Sequence, residues 1–440
     1  MNWAIVFFLL YFLVVFLIGI ISSRSKTEDS FMIAERKVKG VQLAATMSAG
    51  FFDGATLAIF VAYIYQFGFS AIWLFIGLAF GFILLRKYAI NIKTKADLTN
   101  SYSMPEFFYN IFGKSNGLLF SIILIIQFFG ILIVNLIISG KILSSIFSLP
   151  LYIAVSIGGL VVLTYLFLAG FKAVLRTDYF QFMIMILMSL TVGLFLFGKA
   201  DVPSLDINLT NLGFGNILGF VLIGAFSIVV APDLWQRIFA AKDEKSVKKG
   251  LSYSAFILPF LAVIISVVGL VTKQFFPNIV PEDALLTGFS NLLPLGLKEF
   301  GIILLYAVSL SSSDTITFVV SSIVTRDLKN YSIRCSEYSM IKLTRVFMVI
   351  FVSLAVLIAS FYQDIIRIGF SLGSLSLVLF PVVFGSFYWK LKEKAVFYSL
   401  MMGIITVLIL FITNLINPET AVISLPVSLF TLIICQKILK

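Results

Sequence analysis

The sequence predicts an all-α, polytopic membrane protein of about thirteen transmembrane helices. Three observations carry this. First, 60% of the 440 residues are hydrophobic and the mean hydropathy is +1.09, where soluble chains run at about 45–50% apolar. Second, apolar runs long enough to cross a bilayer recur along the whole chain. They fall roughly at 3–22, 41–66, 69–91, 116–146, 150–170, 177–198, 215–235, 251–275, 299–324, 340–361, 365–388, 395–416 and 420–437. Third, positive charge alternates between the gaps. With the N-terminus outside, all of the 32 basic residues except Lys141, Lys199, Lys273, Lys298 and Arg367 fall on the inner side. Thirteen crossings keep that alternation in register and leave the C-terminus in the cytoplasm.

The same pattern accounts for the net charge of +11. It is the signature of a cytoplasmic membrane face and not of nucleic-acid binding. The chain has no histidine and two distant cysteines, Cys335 and Cys435. That removes zinc, haem, iron–sulfur and histidine-based catalysis. The first apolar run lacks a basic leader and is long enough to span, so it is expected to remain as an anchor. The longest gaps, 199–214 and 276–298, are too short for a soluble domain. Asn208-Leu209-Thr210 reads as a chance sequon. Nothing calls for an obligate protein partner; the expected surroundings are a lipid bilayer and a small-molecule solute.

Taken in order, the spans are ordinary except where they carry polar residues. The second holds Ser48-Ala49-Gly50-Phe51-Phe52-Asp53-Gly54-Ala55-Thr56. Glycine lowers helix propensity by about 1 kcal/mol relative to alanine, so two glycines around a mid-span carboxylate mark a place to unwind. An unwound turn frees carbonyls that can replace a cation's water shell, which a membrane tolerates only beside a cavity. Paired with another group, Asp53 would instead mark a packing notch. In the fourth span Gln127 is the amide singled out. Trp73, Tyr63 and Tyr65 read as belt or core. The sixth span opens near Thr177-Asp178 with Gln181 one turn on; on the residues alone Asp178 reads as an N-terminal cap. The seventh, with Gly219, Gly224, Ser227 and Pro232-Asp233, is interrupted like the second. Two broken spans five helices apart point to inverted repeats with a site between them. The ninth carries Ser311-Ser312-Ser313-Asp314-Thr315. A carboxylate at bilayer depth costs at least ~2.5–3.5 kcal/mol. Positions 311, 314 and 315 share a face, and five oxygen-bearing residues in a row exceed what back-bonding to the helix explains. Two hydroxyls with carbonyls of Phe51, Gly54 and Val308 would surround one small hard cation. Asp364 and Arg367 read as a surface pair.

Six stretches, in order and at matching spacing, resemble the sodium:solute symporter family. They are Glu28 to Arg36, Ser48 to Asp53, Met104-Pro105-Glu106-Phe107-Phe108, Gly170 to Gln181, Gln236-Arg237-Ile238-Phe239-Ala240-Ala241-Lys242, and Ser311 to Thr315. The chain departs from the family pattern at Ala169, Arg176 and Ser313, none of them a cation ligand. The resemblance implies a LeuT-like 5+5 inverted repeat. Residues 1–40 would lie outside the core, 41–198 and 215–388 would be the two repeats, and 389–440 two further helices. It implies a main Na⁺ site from Phe51, Gly54, Val308, Ser311 and Ser312. A second Na⁺ would use Asp178, Ser311, Asp314 and Thr315, and Asp53 would support ion coupling. Substrate would lie near Phe52, Thr56, Ala58, Gln127, Gly224, Ser227 and Ile228. Gly224, Ser227 and Ile228 replace the amide and aromatic residues of sugar- and proline-carrying members, which argues against those two classes.

The expected function is Na⁺-coupled symport of a small organic solute across the plasma membrane, not catalysis. Proton coupling through Asp53, Asp178 or Asp314 is the alternative, and a solute sensor is the alternative of another class.

Overall fold

The computed structural model describes residues 3–22, 27–331 and 337–439. Arg24, Lys26, Arg334, Lys440 and Cys335, used above for charge and redox arguments, lie outside the described residues. In chain order the helices are α1 Trp3–Ser22, α2 Glu28–Ile33, α3 Gly40–Ala49, α4 Gly54–Phe67, α5 Trp73–Thr99 and α6 Met104–Phe147. Then come α7 Leu151–Ala169, α8 Phe171–Phe197, α9 Phe214–Val230, α10 Pro232–Ala240, α11 Glu244–Phe275 and α12 Ala284–Asn291. The last are α13 Leu297–Tyr331, α14 Glu337–Phe361, α15 Ile365–Gly385, α16 Glu393–Ile412, α17 Pro418–Ala421 and α18 Ser424–Ile438.

Ten described helices are long and apolar enough to cross a membrane, eleven when the bent pair α9–α10 counts as one span. The expectation of thirteen exceeds this because α3 is only 10 residues before its break. In addition α4 runs through a turn at Gly68–Ile72 into α5 as one 46-residue stretch.

Both expected interruptions are present. Residues 50–53 leave helical geometry, and Asp53 (φ −96°, ψ 169°) restarts the chain as the N-cap of α4. Ala231 is extended, Pro232 opens α10, and the axis bends by 43°. Proline has no N–H to continue α9, and its ring clashes with the carbonyl four residues back.

The core centres on α13, whose most apolar stretch is wholly buried. It packs against α6, α8 and α14, while α1 and α18 turn most of their surface outward. Glycines set the tightest crossing, that of α5 on α9. A Cβ at Gly81 would stand 2.3 Å from the Ala225 carbonyl, and one at Gly224 would stand 2.6 Å from the Leu74 carbonyl. Small residues let backbones approach where lipid offers no competing hydrophobic drive.

On one end, α2 docks beneath the bundle. Gln236 Nε2 donates to the Met32 carbonyl at 2.8 Å, and Val38 pairs with Ala241 in a short parallel bridge. Gly170, at φ +61°, joins α7 to α8 against the Phe31 ring, which a Cβ there would meet at 2.5 Å.

Asp364 and Arg367 are not an ion pair. Asp364 caps α15 by accepting from Arg367 N, while the guanidinium lies over the Phe411 ring.

Candidate ion and solute site

The break in the second span is held open by side chains. In a continuous helix Ala55 N–H would donate to the Phe51 carbonyl and Thr56 N–H to the Phe52 carbonyl. Here Ala55 N–H donates to Asn135 Oδ1 at 3.2 Å, and Thr56 N–H donates to Asp53 Oδ1 at 2.7 Å. Neither carbonyl receives the bond a helix would give it. Asn135 Nδ2 donates in turn to Asp53 Oδ2 at 3.0 Å. Asp53 is therefore a paired, buried cap whose two oxygens fix the unwound turn. The packing-notch reading and the functional reading meet in one geometry.

That turn lies against α13. A Cβ on Gly54 would fall 2.0 Å from Ser309 Oγ, so only glycine allows the two backbones to approach this closely. Ser311 and Ser312 are 1% and 2% exposed and face protein, not lipid. Ser311 Oγ donates to Asp178 Oδ1 at 2.9 Å. The buried Ser312 hydroxyl makes no well-formed hydrogen bond; it lies beside the Asp53 carboxylate and shares a cavity wall with it and Phe51. Val308 is buried one turn below.

The second predicted set is brought together around a guanidinium. Arg237, fully buried in α10, donates through Nη2 to Asp178 Oδ2 at 2.9 Å and to Thr315 Oγ1 at 3.4 Å, and through Nη1 to Asp233 Oδ2 at 2.7 Å. Asp314 accepts from Thr177 Oγ1 at 3.2 Å. Two expectations change here. The charge count placed Arg237 in a cytoplasmic loop; three acceptors hold it inside. The cap reading of Asp178 also fails, because α8 begins at Phe171, about two turns earlier.

A cavity of about 160 Å³ opens beside the break, well above the ~10–15 Å³ one water needs. Thr56, Gln127, Gly224 and Ser227 stand on its wall as expected of a solute site, together with Asp233, Thr315 and Ser376. Phe52, Ala58 and Ile228 do not. Phe52 packs edge-on against Phe75 at 6.0 Å, Ala58 is 4% exposed within α4, and Ile228 fills the crossing opposite Gly81. Phe52 belongs to the unwound turn, which no longer follows helical spacing, while Ala58 and Ile228 sit on regular helices whose cavity faces are Ala55, Thr56 and Ile59 on α4 and Ile223, Gly224 and Ser227 on α9.

Asn135, Asp233, Arg237 and Ser376 are the residues the motif reading left out of the site. Gln127 is not the only amide on this face of α6: Asn135 lies eight residues on, two helical turns, and was visible by that spacing. Asp233 and Arg237, four apart in α10, were visible as an ion pair.

The model of the family described as sodium:solute symporter family matches residues 31–206 and 198–403. The chain belongs to the sodium:solute symporter family. A sodium/proline symporter of Haemophilus influenzae is 24% identical over 92% of this chain and 87% of its own length. The osmoregulated proline transporter OpuE of Bacillus subtilis is 25% identical over 92% and 88%. Among solved structures, a Na⁺-coupled sialic acid symporter in a substrate-bound, outward-open state superposes with a TM-score of 0.83. It is 16% identical and covers 99% of this chain and 98% of that one. A nucleobase-cation-symport-1 family transporter superposes with a TM-score of 0.66 at 11% identity, over 94% of this chain and 95% of that one. These likenesses show the fold, an all-α, LeuT-like bundle. Na⁺ is the coupling ion of this sodium:solute symporter.

Proposed function

We propose that the protein imports a small organic solute together with Na⁺ by alternating access, from a plasma membrane in which its N-terminus is outside and its C-terminus cytoplasmic. The observation that carries this is the meeting of the second-span break with α13. Phe51, whose carbonyl is released from its helix bond, and Ser312, whose hydroxyl lies beside Asp53, share one cavity wall. Carbonyls of Gly54 and Val308 and the hydroxyl of Ser311 complete the ligand set, and Asp53 shapes the turn that presents it. Several oxygens without water suit a small hard cation.

Arg237 already supplies the positive charge among Asp178, Ser311, Asp314 and Thr315, so one Na⁺ per cycle is the reading the geometry favours. One Na⁺ moving inward yields ~2.3 kcal/mol per 100 mV and ~1.4 kcal/mol per tenfold concentration ratio. Together these support a few-hundredfold accumulation of a neutral solute. Uptake into proteoliposomes tests this: accumulation should require an inward Na⁺ gradient and vanish when K⁺ replaces Na⁺ at fixed pH. Full accumulation in K⁺ driven by a pH gradient would establish proton coupling instead. A sigmoidal Na⁺ dependence would restore the second ion.

A further inference from the structure

The cavity beside the break has a mostly apolar wall that carries carboxylates and no cationic side chain among the described residues. Asp53 and Asp233 both stand on its wall, and no lysine or arginine does among the described residues. Asp233, 3% exposed, gives Oδ2 to Arg237 and leaves Oδ1 without a partner. Gln127, 4% exposed, donates Nε2 to Ser376 Oγ at 2.6 Å and leaves Oε1 without a partner. An acceptor buried without a donor costs ~1–3 kcal/mol, more when charged. Both residues line the cavity, and a ligand that donates would satisfy them.

Charge points the same way. Four buried carboxylates, Asp53, Asp178, Asp233 and Asp314, lie around the site, and Arg237 pairs with two of them, Asp178 and Asp233. Arg237 and one Na⁺ at the proposed site together bring two positive charges against them. Phe51, Phe128 and Phe370 add aromatic rings to the wall, and a cation over such a ring gains ~0.5–2 kcal/mol. A solute whose only charge is a carboxylate would meet two carboxylates and no side-chain cation. We infer that the co-transported solute is a small organic cation, a protonated or quaternary amine on an apolar body, with its nitrogen toward Asp233 and Gln127. The inference rests on the symport reading and adds the class of its solute.

A ring-matched series tests it. Pyrrolidine, prolinamide, proline, 2-pyrrolidinone and pyroglutamate keep one five-membered ring and pass from cation through zwitterion and neutral amide to anion. Choline adds a quaternary centre. The melting temperature of the purified full-length protein is measured with each, in NaCl and in KCl at neutral pH. Pyrrolidine, prolinamide or choline should raise it in Na⁺ with an affinity about tenfold or more above that of proline, and pyroglutamate should leave it unmoved. Asp233→Asn should lower the cation effect. Gln127→Glu, which disturbs no ion pair, should strengthen the cation and weaken proline. Tighter Na⁺-linked binding of proline or pyroglutamate would overturn the solute class while leaving symport standing. So would an absence of any shift with all three cations, since the Na⁺-gradient uptake assay judges symport separately.

Discussion

Asp53 and Asn135 show how much a single pair decides. Asn135 spends its oxygen on Ala55 N–H and its amide hydrogens on Asp53. Asparagine is as good an N-cap as aspartate in isolation, yet Asp53→Asn would set two NH₂ groups against each other. We expect it to cost ~1–3 kcal/mol and to weaken Na⁺ binding. The exchanged pair, Asp53→Asn with Asn135→Asp, restores donor to acceptor and should recover much of that loss in thermal melts. Neighbouring serines should separate as cleanly. Ser312→Ala removes a hydroxyl that lies beside Asp53 without a well-formed hydrogen bond, so stability without Na⁺ should fall by no more than about 1 kcal/mol while stabilisation by added Na⁺ disappears. Ser311→Ala also removes the bond to Asp178 and should cost ~1.5–3 kcal/mol even without Na⁺. Equal losses in both variants would argue against Ser312 as an ion ligand.

At the scale of elements, the contact of α4 with α13 places the unwound turn beside the hydroxyls. Gly54→Ala would put a Cβ 2.0 Å from Ser309 Oγ and 2.8 Å from its Cβ. The helices must separate, at ~1–3 kcal/mol for overpacking, and Na⁺-driven uptake should fall with them. Ser309→Gly opens the same space. A double-mutant cycle should therefore show a favourable coupling, smaller than the original loss because glycine costs ~1 kcal/mol within a helix. Additive effects would mean that this contact does not set the spacing. Both broken spans follow from local chemistry, glycines around Asp53 in one and Pro232 in the other. The length of each half-helix and the turn at Gly68 depend on packing across the bundle.

For the molecule as a whole, an ion cluster ties one end of the bundle together. Arg326 of α13 holds Glu106 of α6 at 2.5 Å and Glu28 of α2, with its guanidinium 4.2 Å from the centre of the Tyr102 ring. All three charged groups are buried. Arg326→Met leaves buried Glu106 without a cation and Glu28 with only the half-exposed Lys329, 3.3 Å away, and should destabilise by ~3–5 kcal/mol. Adding Glu28→Gln and Glu106→Gln to it should return most of that, because replacing all members of a buried ionic group is often close to neutral. Thermal unfolding of the single and triple variants decides; a triple variant no more stable than the single would show that the cluster's charges are not what holds this end.

Class, family and the place of both interruptions were legible in the sequence because they depend on short-range physics. Apolar runs must match bilayer thickness, and glycine, proline and a capping carboxylate act on their own turn. The serine run on α13 was legible for the same reason, since intramembrane hydroxyls and carboxylates are too costly to be incidental. Which oxygens meet was decided by the tertiary structure alone. Asn135, Asp233 and Arg237 reach their partners across helices far apart in the chain. Phe52 turns from the cavity because an unwound backbone abandons helical periodicity, and Ala58 and Ile228 do so because packing chose the neighbouring face of α4 and α9.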